Sequence, residues 1–164
     1  LTHDFIPFGD DYRRTGEFVR QALRKVGIDA SLGAKDLSTW TRDVFTDRRF
    51  QVISTWGGWS RDPQGNLDVR FGQRGDRRGV PWSKVSGYSN KEVDALLEPT
   101  RSGADPALRK VNYKRIQQIV QAELPVLPLL EVYFFSVYNR RLRNADELPY
   151  PTRNNFANVW LAKA

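Results

Sequence analysis

The chain of 164 residues contains no cysteine, no methionine and one histidine, His3. Without thiols there is neither a disulfide nor a Cys-based metal site. A lone imidazole at the amino end leaves little scope for a His-ligated metal, or for a Ser-His or Cys-His nucleophile pair. Ser60 lies outside any Gly-x-Ser-x-Gly elbow, and the Gly72 to Gly79 stretch lacks the Gly-Lys-Ser/Thr ending of a phosphate loop. No catalytic residue, metal or cofactor is therefore expected. No apolar run approaches the roughly 20 residues that span a bilayer. The sequence opens on Leu1 with no signal-peptide pattern before it, which reads as a piece of a longer translated chain.

What is present is the composition of an ordinary globular protein, 40% hydrophobic and 27% charged. There are 26 Lys plus Arg against 19 Asp plus Glu, a net charge of +7. This length suffices for one sizeable core.

Leu1 to Phe8, ended by Pro7 and Gly9, reads as a first strand. From Asp11 to Val26 the apolar Phe18, Val19, Ala22, Leu23 and Val26 recur one helical turn apart, with Arg13, Arg14, Arg20, Arg24 and Lys25 on the other face, and Gly27 stops the helix. Ile28, Ala30 and Leu32 alternate as a short strand. Asp36 to Phe45 predicts a second helix, capped by Asp36 or Ser38 and buried through Leu37, Trp40, Val44 and Phe45. Phe50 to Trp56 is β-branched and aromatic and runs into Gly57-Gly58-Trp59-Ser60-Arg61-Asp62-Pro63. Strand, helix, strand, helix, strand with short connections predicts an α/β layer of mixed, mostly parallel sheet with flanking helices.

Residues 72 to 87 are too rich in glycine and arginine for a regular element and read as a surface loop. Ser89 or Asn90 caps a helix that turns Val93, Leu96 and Leu97 inward. Asp105-Pro106 starts a long helix carrying Leu108, Val111, Ile116, Ile119 and Val120, which ends before Pro125. The apolar run from Val126 to Tyr138 reads as one or two buried strands behind a proline-edged lead-in. Phe156, Val159, Trp160 and Leu161 form a last apolar cluster that should dock on something.

The order of these signals resembles the carboxy-terminal lobe of the peptide/nickel family (family 5) of extracytoplasmic solute-binding proteins, which deliver ligands to ABC importers. Four stretches carry the resemblance: Leu23 to Ile28; Trp59 to Pro63 with Leu67 and Phe71; Tyr88 to Leu97; and Asp105 to Arg109 with Tyr113, Gln117, Gln118 and Pro125 to Leu129. It implies one lobe, residues 1–164, of a type II periplasmic-binding-protein-like fold. Whole members are about three times longer, so the amino-terminal lobe is absent here. The implied partners are that lobe, a membrane permease and a small solute, an oligopeptide or similar. The implied location is periplasmic or extracytoplasmic, with a possible lipid anchor in the full protein.

The turn from Trp56 to Pro63 is the first candidate for ligand contact, because indoles held by glycines at a strand end are placed to stack on a solute. Trp56, Gly57, Trp59, Ser60, Arg61 and Tyr88 are the candidate ligand-binding residues. The competing reading makes the tryptophans core anchors, Tyr88 packing under the long loop, and Arg61 the ion-pair partner of Asp62. Asp62 and Pro63 are assigned to the turn itself, the carboxylate as its cap. In peptide-binding members an Asp four residues before the turn proline pairs with the peptide ammonium. Here that position is Trp59, and an indole cannot form that ion pair. The alternative is a nucleic-acid-binding domain using Arg74, Arg77 and Arg78, since clustered guanidinium groups neutralise phosphates.

Overall fold

A computed structural model describes residues 1–57, 62–102, 105–131, 133, 135, 137–145 and 157–163. Gly58, Trp59, Ser60, Arg61 and Phe156, singled out above, lie outside the described residues. The chain divides into two compact units, Leu1–Val126 and Leu127–Ala164.

The first unit opens with β1 (Thr2–Phe5), α1 (Asp10–Lys25), β2 (Ser31–Gly33), α2 (Leu37–Thr41) and β3 (Val52–Ser54). α2 runs on into a π-helical turn over Arg42–Asp47. The strands form a three-stranded parallel sheet in the order β2-β1-β3, with His3 opposite both Leu32 and Val52. Each local signal has its expected consequence. Gly27 takes the left-handed φ of 82° that ends α1. Asp36 caps α2 by accepting from the Thr39 amide at 2.9 Å.

The sheet's core is Ile6, Trp40, Val44 and Phe45, with Tyr12, Phe50, Ile53 and Val85 packed against it. The buried residue of α1 is Gly16, where a Cβ would lie 3.1 Å from the Phe5 ring. The apolar face of α1 is only partly covered: Phe18 and Val26 are exposed. A helix seated on three short strands through a glycine has too little sheet beneath it to hide that whole stripe. At Gly33 a side chain would overlap the Asp4 carboxylate, which is almost fully buried and pairs with Lys35 at 3.2 Å. Lys35 also bridges to Asp43 at 3.0 Å, and Asp43 to Arg49 at 3.0 Å. Burial works against the charge on Lys35, yet its carboxylate partners hold its pKa above the usual lysine value.

The rest of this unit is helical: α3 (Pro63–Arg70), α4 (Lys91–Leu97) and α5 (Pro106–Glu123). Their core is Val93, Leu97, Ile116 and Ile119, with Leu67, Phe71, Leu96, Tyr113 and Val120 against it. The caps follow from the sequence: Asn90 accepts from the amides of Glu92 and Val93, and Asp105 precedes Pro106 and accepts from Ala107.

The second unit contains β4 (Leu142–Arg143) and β5 (Trp160–Leu161), paired antiparallel. The expectation of buried strands over residues 126–138 is not met. The described residues of this run form no strand, and Leu127, Leu130, Tyr133, Phe135 and Val137 are all exposed. Apolar, β-branched residues state what a segment must bury, but a strand also needs a neighbour for its backbone N–H and C=O groups, and among the described residues none pairs with it. Trp160 and Leu161 are likewise exposed.

Candidate functional site

β1 is the middle strand. The chain leaves it through α1 to reach β2 on one side, then crosses back through α2 to β3 on the other. Loops leaving β1 and β3 are then free to diverge, and in parallel sheets such a point opens a crevice at the carboxyl ends of the strands. The residues that follow those ends are Ile6-Pro7-Phe8-Gly9 and Thr55-Trp56-Gly57.

Three aromatic side chains meet there around Trp82. Its ring centre lies 6.2 Å from that of Phe8 and 5.8 Å from that of Trp56. Phe45 at 5.5 Å and Trp40 at 6.4 Å support it from the buried side. Phe8, Trp56 and Trp82 remain 44%, 37% and 43% exposed, whereas Trp40 is fully buried and donates its indole N–H to the Asp4 carbonyl at 3.3 Å. A solid aromatic base thus carries three part-exposed rings whose unused faces can stack on a flat or apolar group.

Trp82 has φ of 67°, a left-handed conformation that costs a bulky side chain about 1–2 kcal/mol. The surrounding loop imposes it. Gly79 donates to the Phe45 carbonyl at 2.8 Å, Lys84 to Gly75 at 2.8 Å, and the Ser83 hydroxyl to Arg77 at 2.9 Å. Arg78 donates to the Thr46 carbonyl at 2.7 Å, and Arg48 pairs with Asp76 at 2.9 Å. The loop that sequence composition marks as surface is therefore strapped to the sheet half, with its tryptophan turned onto the crevice. Arg74 pairs with Glu98 at 3.1 Å. Arg78 and Arg74 are thus engaged by protein groups, and nothing supports the nucleic-acid alternative.

Trp56 and Gly57 stand at the crevice, beside Arg70 at the end of α3. The Arg70 Nη2 donates to the Trp56 carbonyl at 3.4 Å. Trp59, Ser60 and Arg61 fall outside the described residues. Asp62 sits at the cap of α3, accepting from the Gln64 amide at 2.9 Å, with Pro63 as the first helical residue. It also pairs with Arg109, which holds its carboxyl below the usual aspartate range. Tyr88 is placed with the helical half. Its ring meets Phe71 edge-on at 6.3 Å and its hydroxyl donates to Glu123 at 2.6 Å. Burial first, and then the Glu123 carboxylate, push its pKa up to about 12.

Phe8 and Trp82 were not anticipated as site residues. One lies in a strand-to-helix turn and the other in a glycine-arginine loop, and no spacing rule joins positions 8, 56 and 82. The usable signal was the topology: a residue just past β1 in a β2-β1-β3 sheet belongs to the crevice. Among the described residues there is no group of three or more acidic or histidine side chains that could hold a metal, and no helix long and apolar enough to cross a membrane.

No family model matches the sequence. Among curated proteins it is 20% identical over 153 residues to di/tripeptide-binding protein 3 of Pseudomonas aeruginosa, covering 93% of this chain and 28% of that one. It is 28% identical over 130 residues to the glutathione-binding protein GsiB of Escherichia coli, covering 77% of this chain and 25% of that one. The chain thus spans about a quarter of the length of these relatives. Among solved structures it matches the dipeptide-binding protein of a Pseudoalteromonas species in complex with Met-Leu, with TM-score 0.66 and 20% identity over 76% of this chain and 25% of that one. It also matches a mannohexaose-bound periplasmic oligopeptide-binding protein of Thermotoga maritima, with TM-score 0.68 and 22% identity over 78% of this chain and 24% of that one. The chain is similar in sequence to extracytoplasmic peptide-binding proteins, and its α/β fold is that of part of a type II periplasmic binding protein.

Proposed function

We propose that the chain is the ligand-holding carboxy-terminal lobe of a substrate-binding protein of an ABC importer, and that Phe8, Trp56 and Trp82 form its wall of the ligand cleft. The observation that carries this is the position of the three part-exposed rings at the carboxyl ends of β1 and β3. The relatives' names supply the class of solute, a short peptide or a molecule of similar size. A second lobe of the same polypeptide closes over the solute, and contacts made by both lobes favour the closed form, which a membrane permease reads. The work is capture and delivery rather than chemistry, in an extracytoplasmic compartment, with or without a lipid anchor. Gly57, and by their place in the sequence Trp59, Ser60 and Arg61, are assigned to the same ligand contact, whereas Tyr88 is engaged by Phe71 and Glu123 in the helical half. With Trp59 where a carboxylate would take a peptide ammonium, affinity rests on stacking and shape more than on an amino-terminal ion pair.

The test is a titration of the 15N-labelled chain with the dipeptide Phe-Leu, followed through the indole N–H signals. Those of Trp56 and Trp82 are expected to move while that of buried Trp40 stays in place, and Trp82→Ala is expected to weaken the response at Trp56. A response confined to the helical half, or none at all, overturns the assignment.

A further inference from the structure

Most charged side chains of the described helical half are spoken for. Asp68 takes Arg101 at 2.5 Å, Glu92 takes Arg115 at 2.7 Å, and Glu123 takes Tyr88 and Asn90. Arg70 is different. It is half-buried, and among the described residues no carboxylate pairs with it and its one hydrogen bond is the 3.4 Å contact to the Trp56 carbonyl. A guanidinium has five N–H donors in a rigid planar fork, so most of them are unused. Burial, with no partner to offset it, pulls its pKa below that of a free arginine. Leaving a desolvated cation in this condition is unfavourable unless something completes it.

The neighbouring glycine shows where completion would come from. A Cβ built on Gly57 would lie 3.4 Å from Arg70 Nη2, 3.6 Å from Cζ and 3.8 Å from Nε. Those three near-equal distances put the Cβ over the plane of the guanidinium group, so any residue larger than glycine would cover that face. Glycine puts no side chain there, beside the Trp56 carbonyl that Arg70 already holds.

We propose that Arg70 binds the carboxylate of a solute whose apolar part rests on the rings of Phe8, Trp56 and Trp82. A planar carboxylate matches the guanidinium fork, and the half-buried setting of Arg70 strengthens such a pair. The lobe would then hold the anionic end of its solute, the reverse of a site that takes the ammonium. This inference rests on the reading of the aromatic rings as a ligand wall.

The experiment compares N-acetyltryptophan with N-acetyltryptophanamide, which differ only in the carboxylate, by titrating the 15N-labelled chain. The acid is expected to bind about tenfold more tightly than the amide, the lower range for a hydrogen bond to a charged group. It is expected to shift the Arg70 Nε–H signal where the amide does not. Arg70→Gln should bring the acid down to the affinity of the amide, and Arg70→Lys should restore part of the difference. Equal affinity for both probes, unchanged in Arg70→Gln, overturns the role of Arg70 while leaving the aromatic wall in place. No response of the indole signals to either probe overturns both. Displacement of the acid by inorganic phosphate at lower concentration overturns the carboxylate assignment in favour of phosphate-bearing solutes. Should Arg70→Gln fail to fold, the Arg70 Nε–H signal of the unmodified chain decides, because its indifference to the acid sinks the proposal.

Discussion

The sheet half and the helical half of residues 1–126 are built on opposite terms. In the helical half polar groups close on one another: Gln64 accepts from the Thr100 and Tyr113 hydroxyls, Asp68 accepts from Arg101 and Gln64, and the Asp94 carboxylate takes the Gln73 amide at 2.7 Å. The sheet half leaves needs unmet. Among the described residues the buried Ser54 hydroxyl lacks a partner, Trp82 is held left-handed, three aromatic rings keep open faces, and Arg70 reaches across from α3 with most donors idle. A region that satisfies itself has no physical reason to bind anything. The strained and unsatisfied edge is where binding energy remains to be gained.

This contrast can be broken most forcefully at its base. Trp40→Ala, which removes a fully buried indole from beneath the crevice, should destabilise the sheet half by about 3–5 kcal/mol, read as a lowered midpoint in guanidinium denaturation. Arg101→Met, which leaves Asp68 without its cation, should cost about 1–2 kcal/mol and should leave indole signals at the crevice unmoved.

A pH series sharpens the comparison further. Burial lowers the pKa of His3 below its ordinary 6.5, so the unfolded chain takes up the proton first. Stability from this group is complete above about pH 6.5 and falls as the pH drops through that value. His3→Leu, which removes the titrating ring, should flatten urea midpoints between about pH 6.5 and 5. The carboxylate of Asp68 behaves differently: burial opposes its charge, but Arg101 keeps its pKa below the usual aspartate value. Its contribution is present above about pH 4 and is lost as the pH falls further, and Asp68→Asn should remove that acid limb. The smallest effect is at position 82, where Trp82→Gly should be more stable than Trp82→Ala by about 1 kcal/mol because glycine accepts the left-handed φ.

Local chemistry made much of the fold legible. Gly27, Asp36, Asn90 and Asp105-Pro106 each state a boundary within a few residues of themselves, and the structure places helix ends there. The alternation of strands and helices was enough for a parallel sheet. What sequence could not reveal was anything that depended on a partner elsewhere. Residues 126–138 have the composition of a core strand, but the described residues among them pair with no described neighbour. Phe18 sits on the apolar stripe of α1, yet the sheet beneath is too narrow to cover it. At the crevice Trp56 was legible because it ends a strand before glycines. Phe8 and Trp82 were not, since their meeting is made by the order of strands and by a loop whose bonds run to distant carbonyls.

The central place of β1 has a final consequence. Any strand added to this sheet must join beyond β2 or β3, at its outer margins. Growth there broadens the scaffold without displacing the residues just past β1 and β3. The breadth of the sheet and the geometry of its mouth are thereby decoupled, so either can be altered while the other is kept.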